Sequence, residues 1–488
     1  MLREITFIHA PLLLDEQTYG ARFAPLWAYT LAAYLPDDWH ATVVDVAFDD
    51  ASTLAPAAVF AFSGINQDQE SLCALQARLK AQHPKALFVL GGPIVWSFEQ
   101  EGRLELLDGF DYLFVLDGEE TLPRFLRAVD EQALEALPRV IRGERFALGR
   151  ARPIAFDLYR ARAHRYDGAA IEVSRGCPFL CEFCDVRAVP GNDRANNKPS
   201  ALIVRELEAH AALGVERFLF VCDNFIGDLS WARECARAIV AWRLARQRRV
   251  SIFTWLTINL AKSAGLMKEL RRAGFSALFI GIESVNQRSL LETAKVQNRV
   301  DLESAVTLIQ SHGFIVVPGL IFGFDSDTSS VFEDTQRFLL TAGIIAGDPS
   351  FLTALPGTPL FERMKRTSRL VQRSEQGTVR RKLVTNIRYL QSSRELAEGF
   401  VRFMADCNAP RTQLARFRAH LQQLMTSDHF TPNAGEQLGS PWRALLTTLA
   451  SPGRRRSLVQ RGLYFVRRPT RAWAVLQALW LRRPNAPR

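Results

Sequence analysis

Short apolar runs alternate with amphipathic stretches through the first 135 residues. The runs Ile5 to His9, Ala41 to Val46, Ala57 to Phe62, Ala86 to Leu90 and Tyr112 to Val115 have the length and character of buried strands, and helical patterns such as Ser71 to Gln82 lie between them. This order predicts a doubly wound parallel sheet over residues 1–136. Ligands of such sheets sit beyond the strand carboxyl ends, which singles out Ser63-Gly64, Gly91-Gly92 and Gly118-Glu119-Glu120. A glycine pair at that place has two readings: it admits a ligand close to the backbone, or it relieves a tight strand-to-helix turn.

Residues 137–168, with their prolines and arginines, read as a linker. Beyond them a second alternation begins, with strands expected at Ala170 to Val173, Arg217 to Cys222, Ser251 to Leu256, Ala277 to Ile282, Phe314 to Ile321 and Ser350 to Ala354. Helical patterns at Ala201 to Leu213, Trp231 to Ala245, Ala264 to Ala273 and Leu302 to His312 fall between them. Six β-α steps predict a partial (β/α)6 barrel over 169–365 with its site at the strand carboxyl ends. The remaining residues, 366–488, read as mainly helical.

Composition adds bounds. An apolar content of 48% with 23% charged residues describes packed domains and excludes disorder as the main state. The net charge of +10 is uneven: residues 370–488 hold 21 Arg or Lys against 6 Asp or Glu, so the rest of the chain is slightly acidic. No run reaches the ~20 apolar residues of a membrane span. The opening segment carries an acid and reads as a buried strand instead of a signal peptide. Seven unevenly spaced cysteines do not suit a disulfide scaffold, so a cytoplasmic protein with reduced thiols is expected.

The sharpest chemistry is SRGCPFLCEFCD at residues 174–185. Cys177, Cys181 and Cys184 follow a C-x3-C-x2-C spacing on one loop at the end of the barrel's first strand. Three thiolates are one short of a closed zinc site or a saturated cubane, so one iron of a cluster stays open to a chelating molecule. A zinc site with a remote fourth ligand such as Cys222, or three merely buried thiols, are the other readings of this spacing.

CPFLCEFC resembles the cluster loop of the radical S-adenosylmethionine (SAM) superfamily, in which three cysteines hold a [4Fe-4S] cluster and SAM chelates the fourth iron. DNFIGD at 223–228, GIES at 281–284, KVQN at 295–298, GFDSD at 323–327 and ALPGTPLFERM at 354–364 follow in the order of a cobalamin-binding subgroup that contains the bacterial hopanoid C-2 methylases. The resemblance implies that Phe183, Asp223, Asn224, Glu283, Ser284, Gly319 and Pro356 contact SAM. It also implies that Ser63, Gly64, Gly91, Gly92 and Glu119 contact cobalamin. The implied activity is C-methylation of an unactivated carbon in a small molecule, a lipid or secondary metabolite, with an electron donor such as a flavodoxin or ferredoxin. Cyclisation or rearrangement without methyl transfer is the alternative, and a cobalamin-holding sensor is disfavoured by the intact three-cysteine loop.

Two departures limit the resemblance. The D-x-H-x-x-G signature that places histidine on cobalt has its one near match at Asp38-Trp39-His40, with Val43 in place of the glycine, so no protein histidine is expected on cobalt. Trp255 stands where the hopanoid methylases are expected to carry an acid, which changes the shape and polarity of the substrate pocket. Finally, residues 441–488 contain 11 Arg and no acid around a Trp-bearing apolar stretch. Peripheral contact with an anionic membrane and docking on the barrel are both consistent with that composition. RNA binding ranks last, since no RNA-binding signature accompanies the basic run.

Overall fold

The computed structural model describes residues 3–10, 22–371 and 385–433. The first sheet contains β1 (Glu4–His9), β2 (His40–Asp45), β3 (Val59–Ser63), β4 (Leu87–Gly91), β5 (Tyr112–Val115) and β6 (Val140–Arg142). All pairings are parallel, in the order β2-β1-β3-β4-β5-β6. Helices cover both faces, which is why the apolar runs are unbroken. On β1, Ile8 enters the core with Phe60 and Leu72, while Ile5 and Phe7 enter the other with Tyr29 and Phe125.

The stretch expected to be a linker supplies β6. Leu113 to Val115 pair with Val140 to Arg142, and Ile154 and Tyr159 complete the core on one face. Three residues are too few to show a period, and the flanking proline and arginines mask them.

The second sheet begins with β7 (Ala169–Glu172). A short antiparallel pair follows, β8 (Ser174–Arg175) and β9 (Asn196–Asn197), and then β10 (Arg217–Val221), β11 (Ser251–Leu256), β12 (Phe275–Glu283), β13 (Ile315–Phe322) and β14 (Asp348–Phe351). The six long strands run parallel in the order β14-β13-β12-β11-β10-β7, and β14 does not return to β7. This is the partial barrel expected from the six β-α steps.

One face of this sheet carries Ile252, Leu256, Leu278, Ile280 and Val316 into a core shared with the surrounding helices. The alternate positions Phe253, Trp255 and Phe279 form an aromatic row on the other face, with ring centroids 5.3 and 6.4 Å apart. Below them Ala277 and Ile315 pack with Phe417 and Leu424 of the helix Pro410–Thr426. The C-terminal region is helical where described, over Ser393–Asn408 and Pro410–Thr426. The arginine- and tryptophan-rich segment 441–488 lies outside the described residues. Among the described residues no helix is long and apolar enough to cross a membrane.

Candidate active site at the junction of the two sheets

The cysteine loop leaves β8 through Gly176, whose φ of +89° suits glycine and where a Cβ would run into the Arg194 carbonyl. Its amide donates to Asp223 Oδ2 at 2.6 Å, and the Cys177 amide to the Asn192 carbonyl at 3.0 Å. Farther along, the Glu182 amide donates to the Thr293 carbonyl, and its carboxylate takes a two-pronged bond from Arg363 at 2.7 and 2.9 Å. Backbone and ion pairs thus pin the loop to three barrel segments before any metal is considered.

The thiols of Cys177, Cys181 and Cys184 line this loop. Burial pushes the Cys184 thiol up to about 12 and raises Cys177 as well. Ionising them calls for cationic partners. No three His, Cys, Asp or Glu side chains among the described residues converge on one point as ligands of a single ion. Three thiols on one loop suit a cluster, where each cysteine takes its own iron. Cys222 does not join them: it is buried in the barrel with its Sγ 3.3 Å from Thr254 Oγ1.

Polar groups surround the loop at the strand carboxyl ends. Asn224, after β10, is buried with its Nδ2 3.9 Å from Cys177 Sγ, and Gln297 Nε2 lies 3.3 Å from Cys181 Sγ. β12 ends in a register shift at Gly281/Glu283, where Glu283 adopts a φ of +64°. Its carboxylate meets Lys295 Nζ at 2.7 Å, both groups buried. Gly281 makes room for this pair, since a Cβ there would strike Glu283 Oε1 and Lys295 Nζ. Gly319 sits opposite Gly281 on β13, and a Cβ there would meet the Phe279 ring at 2.7 Å. The Phe183 ring lies 6.3 Å from Phe324 and 5.7 Å from Lys295 Nζ. Ser284 is buried, and its Oγ accepts from the Asn286 amide.

Five side-chain oxygens here, of Asn224, Thr257, Asn259, Gln297 and Asn298, are buried with no hydrogen-bond partner among the described residues. Such orphans are uncommon and call for a partner. The amino and hydroxyl groups of a SAM-like ligand would supply donors, so the residues present fit a cluster together with a polar chelating molecule.

The first sheet faces the same junction. Arg175, two residues before Cys177, pairs with Glu172 at 2.7 Å, Glu119 at 2.5 Å and Asp117 at 3.0 Å. Ala188 and Val189, just after the loop, pack against the first domain's core. The turn after β14, which holds buried Pro356, also reaches across, since a Cβ on Gly357 would strike the Trp96 ring. Glu119 is therefore engaged at the joint between the domains, and burial raises its carboxyl against the pull of Arg175.

At the ends of β3 and β4 the glycines are filled from within. Gly92 has a φ of +87°, and a Cβ would meet Ser63 Oγ and the Gly64 carbonyl at 2.5 and 2.9 Å. A Cβ on Gly64 would sit 2.6 Å from Leu72 Cδ1. Gly92 is required by its left-handed backbone, and Gly64 by the side chains of Leu72 and Asp68 packed against it. Gly91 differs, with only Phe114 Cβ near, at 3.6 Å. His40 is exposed at the amino end of β2, far from the strand ends. His9 closes β1 beside Asp45 and Asp68, and burial lowers its pKa despite those carboxylates.

The radical SAM superfamily model matches residues 171–339, from β7 through the cysteine loop and past β13. A domain of unknown function, DUF4070, matches 358–479. An uncharacterized methyltransferase of Synechocystis sp. is 30% identical over 397 residues, covering 80% of this chain and 72% of its own length. The chain belongs to the radical SAM superfamily. Its relatives also include the hopanoid C-2 methylase of Rhodopseudomonas palustris, 29% identical over 75% of this chain and 68% of its own. The solved radical SAM methyltransferase TsrM from Kitasatospora setae, with cobalamin and a [4Fe-4S] cluster bound, aligns over 98% of this chain and 100% of its own at a TM-score of 0.61. At 17% identity this is a likeness of fold.

Family membership accounts for the three-cysteine loop at the end of β7. Of the other residues expected from the sequence, Phe183 lies within that loop, Asp223 and Asn224 meet it at Gly176 and Cys177, and Glu283 and Gly319 stand beside one another at β12 and β13. Gln297, Lys295 and Arg175 were not among the expected site residues. KVQN had been noted as a motif, but its side chains reach the loop only in three dimensions.

Proposed function

We propose that the protein is a cobalamin-dependent radical SAM C-methyltransferase acting on an unactivated carbon of a lipid or secondary metabolite. One observation carries this reading: the cysteine loop lies between the carboxyl edges of two parallel sheets, so that ligands held on each would face one another. The methyltransferase names of the relatives support it.

The cluster and SAM supply, when bound, a radical able to take hydrogen from an unactivated carbon, and cobalamin supplies the methyl group. The chain's own part is to hold and to enclose. Cys177, Cys181 and Cys184 ligate three irons and leave the fourth for SAM. Asp223, Asn224, Glu283 and Ser284 orient the SAM polar groups, while Phe183, Gly319 and Pro356 flank its adenine. Ser63, Gly64, Gly91 and Gly92 would present backbone to the corrin, with no histidine of the chain as a ligand to cobalt, and Glu119 would act from behind through Arg175. The row of Phe253, Trp255 and Phe279 gives the mouth an apolar wall, which suits a hydrophobic substrate and excludes water. A reduced flavodoxin or ferredoxin supplies the electron.

The test is anaerobic reconstitution with iron, sulfide, SAM and cobalamin, followed by mass spectrometry of extracts from cells with and without the gene. SAM cleavage above a Cys177→Ala control, with a product heavier by one methylene, is the expected result. SAM cleavage with a product of unchanged mass replaces methyl transfer by cyclisation or rearrangement, and no cleavage refutes both.

A further inference from the structure

We propose that Gln297 is a positioning residue that sets the reduction potential of the cluster, through a hydrogen bond from its side-chain amide to the sulfur of Cys181. This rests on the cluster-binding reading of the loop.

Gln297 Nε2 stands 3.3 Å from Cys181 Sγ, and the two residues are 5% and 8% exposed. Little water competes for that sulfur. The segment that carries Gln297 is fastened on both sides: Asn298 Nδ2 donates to the carbonyls of Gly281 and Ile282 at 2.9 and 2.8 Å, and the Lys295 amide donates to the Leu290 carbonyl at 2.9 Å. Lys295 Nζ in turn holds the Glu283 carboxylate at 2.7 Å. Two residues earlier, the Thr293 carbonyl accepts from the Glu182 amide of the cysteine loop. The run 293–298 thus touches the loop twice and β12 three times, so the backbone that carries Gln297 cannot withdraw without moving the end of β12.

The electronic consequence follows from charge. One added electron makes the cluster sulfurs more negative, so an N–H donor binds the reduced form more strongly than the oxidised and raises the potential. A purely structural glutamine would leave the potential alone. Glu283, at the end of β12, is tied to this run through Lys295, so the arrangement also couples the position of a candidate SAM-binding carboxylate to the donor on the cluster.

The test compares full-length wild type, Gln297→Leu and Gln297→Glu after anaerobic reconstitution. An electron paramagnetic resonance titration with dithionite and mediators gives the potential, and deuteron coupling after exchange into D2O reports the N–H···S bond. Gln297→Leu is expected to lower the reduced-to-oxidised ratio about tenfold at fixed potential, which for a one-electron couple is about 59 mV more negative. It should also lose one exchangeable deuteron coupling with iron content unchanged. Gln297→Glu keeps the volume, replaces the donor by an acceptor, and should fall at least as far; it decides the matter if the leucine variant holds no cluster. A potential at or above wild type in the variant that holds a cluster overturns the inference. A wild-type protein that assembles no more cluster than Cys177→Ala refutes the underlying reading instead.

Discussion

The two sheets have the same strand count and are both parallel, one reversing its order at β1 and the other running in sequence, yet their carboxyl edges are in opposite states. At the barrel edge five buried side-chain oxygens lack partners among the described residues, and Asp223, Asn224 and Gln297 meet the cysteine loop. At the first sheet's edge the chain fills its own turn, with Gly92 tucked against Ser63 and Gly64 tucked under Leu72. Orphaned acceptors recognise a ligand by specific donors. A closed glycine turn offers mainly backbone and shape, which suits a broad ligand laid across it. Two parallel six-stranded sheets therefore make two kinds of site, and the side chains that follow each strand help decide which.

The sharpest way to break this comparison is to remove a thiol. Cys177→Ala should abolish cluster assembly and SAM cleavage altogether, read by iron content and 5′-deoxyadenosine release, while a cobalamin site on the first sheet should keep its affinity.

Next in size is the joint between the sheets. Arg175→Met leaves Asp117, Glu119 and Glu172 facing one another at the domain interface. Stripping one partner from a largely buried ion network costs about 3–5 kcal/mol, so a marked loss of stability in denaturant unfolding is expected. Gly92→Ala comes third, at about 3 kcal/mol, since it combines a left-handed backbone with a clash against Ser63 and Gly64. Its readout is the same unfolding midpoint.

His210 tests the joint by pH. It lies buried on the helix Ser200–Ala212, 4.6 Å from Tyr159 and 5.2 Å from Phe156 of the preceding segment, and burial lowers its pKa to about 4. A histidine depressed in the folded state contributes stability above its ordinary pKa of ~6.5 that is lost as pH falls toward 4. Between pH 7 and pH 5 about 2 kcal/mol should disappear, and His210→Phe should flatten that slope.

The smallest stability effect belongs to Gly91→Ala, under about 0.5 kcal/mol, because its Cβ has room and its backbone is ordinary. If cobalamin affinity falls in this variant while the fold is intact, Gly91 contacts the ligand. Unchanged affinity limits the edge to turn geometry.

Periodicity located the long elements well because each is buried as a unit. Tyr112–Val115, Ser251–Leu256 and Ala264–Ala273 appear where their patterns end. Short pieces escaped: β6, with three residues, and the β8–β9 pair, with two in each strand, carry no measurable period. The candidate cluster ligands were legible because three cysteines on one loop are local. Glu119 with Arg175, and Gln297 with Cys181, are separated by 56 and 116 residues, and nothing along the chain announces such pairs.

The sequence by itself determined the two parallel sheets and the open-iron cysteine loop, since both depend on residues within a few positions of one another. Tertiary structure decided the rest. It placed a sixth strand within the expected linker and packed Ser63 and Leu72 against two of the candidate glycines. It paired Glu119 with Arg175 at the interface between domains, and it brought an amide from residue 297 against the sulfur of residue 181. These outcomes depend on which groups are buried together, and burial is a property of the packed chain that no local pattern records.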